Sequence, residues 1–156
     1  MKRMKNQAGL LVGAALLLFV ALTLSLLNAQ TSDVATLTVR VINARNAKGM
    51  IRVALFRAAD GFPGDRSKAA RVQGAQIDPI TLSSEIVFAD ISPGIYAVSA
   101  FHDENLNGKF DKNLVGMPKE GYGASNNPKK KMGPPAFEEA SFSMKGHQSV
   151  EIKLIY

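Results

Sequence analysis

The apolar positions of this chain fall into two contrasting patterns, separated near residue 30. Leu10 to Leu27 is an unbroken run of apolar and small residues behind the basic stretch Met1-Lys2-Arg3-Met4-Lys5. From Thr36 onward, apolar and polar residues alternate with period two in short segments, which marks half-buried strands. Thr36–Val41 and Met50–Phe56 follow this pattern, Arg71–Ile77 reads as a short strand of weak apolar content, Glu85–Ile91 as a better one, and Ile95–His102, apolar on both faces, as a central strand. The first two segments predict an opening hairpin across Asn46-Ala47-Lys48-Gly49. Phe137–Met144 and Ser149–Tyr156 predict a closing hairpin across Lys145-Gly146. Ser92-Pro93-Gly94 places proline and glycine where a type II turn needs them. No segment after residue 30 has helical periodicity. About seven short strands separated by turns predict an all-β fold, a single antiparallel β-sandwich over residues 36–156.

The N-terminal run has two readings. A basic start, an apolar stretch and the small residue Ala29 before Gln30 describe a secretory signal peptide over residues 1–29, followed by a short linker over 30–35. The run is also long enough to span a bilayer, which takes about 20 residues, so an uncleaved anchor over 10–27 is the competing reading. In either case the basic end stays inside and the body is exported, to the periplasm or beyond. The chain contacts a membrane only if this helix is retained. The chain has no cysteine, which rules out a lipidated-cysteine anchor and any thiolate metal site. Of the net charge of +6, three units belong to Lys2, Arg3 and Lys5 and leave with a cleaved signal. The weakly basic remainder, without tryptophan, is not a nucleic-acid binder.

Between the central strand and the last segments, Asp103 to Pro135 has neither period and is rich in glycine and proline. A loop this long in a small domain is functional or disordered. Leu114, Val115, Met117, Tyr122 and Met132 give it apolar side chains to pack, which predicts an ordered loop crossing one end of the fold. Its first residues carry the most specific chemistry. Asp103, Asn105, Asn107 and Asp111 recur at odd spacing around Gly108, as the oxygen ligands do in the first nine positions of an EF-hand calcium loop. Asp103, Asn105 and Asn107 would give side-chain oxygens, Lys109 its carbonyl, and Asp111 a direct or water-mediated ligand. Position twelve, a bidentate glutamate in a full loop, is Leu114 here, and no flanking helices are predicted. A Ca2+ site would therefore have modest affinity and would borrow a ligand, with Asp90, Glu104 and Glu120 as candidates. The alternative is a turn in which Asp and Asn side chains bind nearby backbone amides.

His102 beside Asp103 suggests a metal or acid–base pair, and Glu120 with Asp103 or Asp111 suggests a carboxylate pair for hydrolysis. Tyr122, Ser125 and Asn126 complete the candidate loop residues. Ser125 and Ser141 lack the context of a catalytic nucleophile, and Gly121-Tyr122-Gly123 lacks that of a phosphate loop. Lys129-Lys130-Lys131 could meet anionic lipid.

Several motifs occur in a fixed order: Pro93-Gly94-x-Tyr96-Ala97-Val98, His102-Asp103-Glu104-Asn105-x-Asn107-Gly108-Lys109-x-Asp111, Gly116-x-Pro118-Lys119-Glu120-Gly121-Tyr122-Gly123-x-Ser125-Asn126-Asn127, and Gly133-Pro134-Pro135-x-Phe137-x-x-Ala140. They resemble the bacterial family called domain of unknown function 2141, from about Val39 to Tyr156. The resemblance implies export and a compact β domain, and transfers no catalytic residue. The Pro-Gly-x-Tyr turn is also similar to that of transthyretin-like and carboxypeptidase-regulatory-like sandwiches, mostly accessory modules. The expected function is an exported, non-enzymatic binding or accessory module for an unknown envelope or extracellular ligand, its loop organised by calcium. The alternative is an envelope-associated metal-dependent hydrolase using His102, Asp103 and Glu120.

Overall fold

A computed structural model describes residues 34–129 and 133–156. The apolar run over 10–27, with both of its readings, and Met132 lie outside the described residues. The described chain is mostly β, with eight strands: β1 (Ala35–Ile42), β2 (Met50–Phe56), β3 (Arg71–Ala75), β4 (Ser84–Ile91), β5 (Gly94–Asp103), β6 (Tyr122–Ala124), β7 (Phe142–Met144) and β8 (Gln148–Lys153). They form two sheets. One has the order β4-β1-β8; the other runs β3-β2-β5-β6, with β7 also paired to β5.

Period-two burial holds through β1 and most of β4, whereas β2 is buried on both faces over its second half and β3 is almost wholly exposed. In β1, Ala35, Leu37, Val39 and Val41 are buried and the residues between them are not. These side chains join Val53 and Leu55 of β2, Phe88 of β4, Val98 of β5 and Ile152 of β8 in one apolar cluster drawn from both sheets. β5 is central, as its two apolar faces predict: β2 pairs along one edge, while β7 and β6 share the other end to end. Its second face meets a smaller cluster of Ala97, Ala124 and Ala140 with Phe62 and Phe137. Phe62 stands edge-on to both Phe56 and Phe137, with ring centroids 5.3 and 5.8 Å apart.

Partner choice differs from the expectation at both ends of the chain. β1 and β2 are not a hairpin: β1 pairs with β4 and β8, β2 with β3 and β5. The closing hairpin is also absent, because β7 pairs with β5 while β8 crosses to the other sheet and lies parallel to β1. The fold is therefore not antiparallel throughout. Alternation fixes which face of a strand is buried but carries no information on its neighbour, and short connections can change sheets as well as reverse direction. Phe137–Ala140, read as strand, is a single helical turn, α1, that sets Ala140 against the second cluster. The long loop is interrupted by β6, too short at three residues for periodicity to reveal.

Phe88 is fully buried in the cluster shared by the two sheets. Phe88→Ala is expected to lower the unfolding free energy by about 3–5 kcal/mol in a denaturant titration, through lost burial and a residual cavity.

Candidate functional site

β5 delivers His102 and Asp103 to one end of its sheet on opposite faces, and everything notable in the following loop is built on that pair. Asp103 is fully buried. Its Oδ2 accepts from Arg52 Nε at 2.9 Å and from the Gly108 backbone N–H at 3.0 Å. Gly108 has φ +74°, a left-handed conformation that glycine adopts without strain, which lets the turn close on Asp103. Asp103 Oδ1 is buried without a hydrogen-bond partner.

Beyond Asp103 the expected residues do come together. Asn105 and Asn107 each use the side-chain oxygen to cap the backbone two residues on, accepting from Asn107 N at 3.1 Å and Lys109 N at 2.7 Å. Their amide nitrogens turn to Asp111, at 2.7 Å from Asn105 and 3.1 Å from Asn107. Among the described residues, no three Asp, Glu or His side chains gather as a metal-binding group.

Glu120 holds the two ends of this segment. It is only 4% exposed, and its carboxylate accepts from Glu104 N through Oε1 and from Asp111 N through Oε2, both at 3.0 Å. The Lys119 N–H adds a bond to the Asp111 carbonyl at 3.0 Å. Glu104 is itself fixed by Asn46 Nδ2 at 3.0 Å and by the Arg45 guanidinium at 2.5 Å. Burial alone would raise the Glu104 pKa, but the hydrogen bonds from Asn46 and Arg45 outweigh it and hold the carboxyl below its ordinary value.

His102, fully buried, spends both nitrogens on structure. Nε2 lies 2.7 Å from the Lys48 carbonyl, which can only accept, so Nε2 carries the proton. Nδ1 then accepts from the Tyr156 hydroxyl at 2.8 Å, and that oxygen accepts from the Arg45 backbone N–H at 2.9 Å. The Arg45 guanidinium also lies 4.8 Å from the centre of the Tyr156 ring. A Cβ at Gly121 would overlap that ring, so glycine is needed there for space. Burial pushes the Tyr156 phenol above its ordinary pKa.

The other candidates serve elsewhere. Tyr122 belongs to a row of rings, Phe101–Phe110–Tyr122, with successive centroids 5.7 Å apart, and the Arg66 guanidinium sits 5.3 Å from the centre of Phe101. Ser125, fully buried, lies far along β5 from Asp103: its hydroxyl accepts from Val98 N and donates to the Ala140 carbonyl at 2.5 Å. Asn126 donates to the carbonyls of Glu139 and Ser141, and Asn127 exchanges two bonds with β8, at Glu151 O and Lys153 N. Ser125, Asn126 and Asn127 thus tie α1 and β8 to β6, while Tyr122 meets the Asp103 loop through Phe110. Leu114, Val115 and Met117, expected to pack, are instead exposed. They sit on a tight excursion whose turn is closed by Asn113, uncovered among the described residues. Away from the loop, Arg40, Asp78, Ser84 and Glu85 help to line a polar hollow of about 230 Å³. Asp78 there caps the backbone of Ile80 and Thr81.

Sequence reasoning missed Arg52, Asn46, Arg45 and Tyr156. All four come from segments remote in sequence, and only the pairing of β2 with β5 and the path of the C-terminus bring them to the loop.

A family model described as an uncharacterised protein conserved in bacteria, domain of unknown function 2141, matches residues 39–153. The chain belongs to that family. No curated protein and no solved structure matches it. The match spans the motifs from Pro93 to Ala140, so the Glu120 bridge and the Asp103 turn both lie within the family's extent.

Two outcomes follow from these contacts. Glu120→Gln puts an NH2 group against one of two backbone donors; it is expected to cost about 1–3 kcal/mol in chemical denaturation, the penalty of a buried donor left unpaired. For Tyr156 the folded pKa lies above the unfolded value near ~10, so its contribution is complete below that pH and is lost as pH rises through the folded value. The stability gap between wild type and Tyr156→Phe should thus hold constant up to about pH 10 and narrow above it, as read by urea titrations at stepped pH.

Proposed function

We propose that this protein is an exported, non-enzymatic binding module: a β-sandwich formed by its two sheets, with the segment from Asp103 to Gly121 as its binding surface. The observation that carries this reading is the use made of the reactive side chains. Glu120 commits both oxygens and His102 both nitrogens to holding backbone and Tyr156. A general acid or base needs a free position facing substrate, and neither group has one. The same contacts argue against the hydrolase alternative, which relied on His102 and Glu120.

Within this reading, calcium organises the first half of the segment. The residues present suit it: Asp103 Oδ1 is a buried oxygen with no partner, and Asn105, Asn107 and Asp111 already meet. Asp103, Asn105, Asn107, the Lys109 carbonyl and Asp111 would hold the ion, the two amides turning about their side-chain bonds to offer oxygen in place of nitrogen. Bound calcium would supply a fixed double positive charge and oxygen ligation. Arg52, already on Asp103 Oδ2, competes for the same carboxylate and keeps affinity modest. Export rests on the basic start and apolar run of residues 1–29.

Thermal melts with added calcium test the metal. The melting temperature should rise with calcium through the millimolar range, rise less with magnesium, and stay flat in Asp111→Asn. A wild-type melting temperature unmoved by calcium would remove the ion from the account.

A further inference from the structure

The excursion from Lys112 to Pro118 has an unusual composition for its position. Leu114 is 107% exposed and Val115 81%, with Met117 and Leu106 also more than half exposed. Three large apolar side chains on one projecting segment, with Leu106 exposed on the turn before it, are a poor arrangement for a face that meets only water, and such patches mark interaction sites. The tip is not loose. Asn113 N donates to Met117 O at 2.8 Å, Gly116 N to Asn113 O at 2.9 Å, and the Asn113 side chain accepts from Val115 N and Met117 N. Lys112 and Pro118 form a bridge at its base, and Glu120 anchors what lies below. The turn thus holds Leu114, Val115 and Met117 outward in a fixed conformation.

Three lysines stand on or beside the tip. Lys109, Lys112 and Lys119 are exposed and have no ion pair among the described residues. Of the nearby acids, Asp103 and Glu104 are paired with Arg52 and Arg45 and Glu120 is buried, while Asp111, held by two neutral amides, keeps its charge. An apolar point ringed by lysines complements a bilayer surface bearing anionic lipid, where the hydrocarbon boundary takes the apolar side chains and the headgroups take the ammonium groups.

We infer that the Leu114–Met117 tip inserts into the interface of an anionic membrane, with Lys109, Lys112 and Lys119 on the headgroups. This deepens the binding-module reading by naming its partner, and it rests on that reading for the surface concerned.

Because the chain has no cysteine, a single one can report from the tip in the full-length protein. Val115→Cys carrying an environment-sensitive fluorophore is mixed with vesicles of phosphatidylcholine alone or of phosphatidylcholine mixed with anionic phosphatidylglycerol. The same label at Asp60→Cys, on an exposed loop, is the reference. This local readout does not depend on whether the N-terminal run also enters the vesicle. The expected result is a blue shift and several-fold emission gain at 115 only, with anionic vesicles only, reduced by Lys109→Gln/Lys112→Gln/Lys119→Gln and by rising salt. A silent label at 115, an equal response at 60, or an equal response to neutral vesicles would overturn the inference. A silent label beside a calcium-dependent rise in melting temperature would overturn the membrane partner and leave the organised loop standing. A protein partner for the tip would likewise leave the label silent.

Discussion

One carboxylate sets the shape of the most distinctive part of this molecule. Glu120 is buried, so its charge must be met by hydrogen bonds, and the donors that meet it are the backbone N–H groups of Glu104 and Asp111. Those two residues bracket the Asp103 turn. A single side chain thereby closes a segment that has no strand of its own, and leaves the next residues no path but outward. Asp103 does the same work from the other side, joining Arg52 of β2 to the Gly108 turn. Removing a partner from either carboxylate would leave a charge or a donor stranded away from water, which costs more than the bond itself contributes.

The same reasoning separates what this end of the protein can do from what its composition suggests. Histidine, two aspartates and two glutamates within nineteen residues look like the materials of catalysis. In place, nearly every polar atom among them is occupied. His102 closes a chain from the Lys48 carbonyl to Tyr156 and the Arg45 backbone, and Glu104 lies under Arg45 and Asn46. Asp103 Oδ1 has no partner, and Glu104 Oε1 has only the Arg45 ion pair. The freely exposed groups are apolar or cationic, and they stand on the tip that the carboxylates position.

The strands were readable because burial of one face imposes period two, as in β1, where residues 35, 37, 39 and 41 are buried in turn. Centrality of β5 was readable because both of its faces are apolar. Strand partners were not: nothing in Met50–Phe56 distinguishes β5 from β1 as neighbour, and nothing in Gln148–Lys153 announces a parallel place beside β1. The loop was legible in its residues and their spacing but not in their use. Asn105 and Asn107 read as oxygen donors, and the fold has them capping backbone and turning nitrogen to Asp111. Glu120 read as a spare ligand or an acid, because only the fold shows that two backbone donors sixteen and nine residues behind it converge on its oxygens.

The loop is held closed from within, and native-state hydrogen exchange followed by NMR measures that directly. Amide protons of Glu104, Gly108 and Asp111, which point at the Glu120 and Asp103 carboxylates, should exchange far more slowly than those of the exposed Leu114 nearby. Exchange at all three as fast as at Leu114 would mean that the carboxylates do not hold the segment, and would contradict the account.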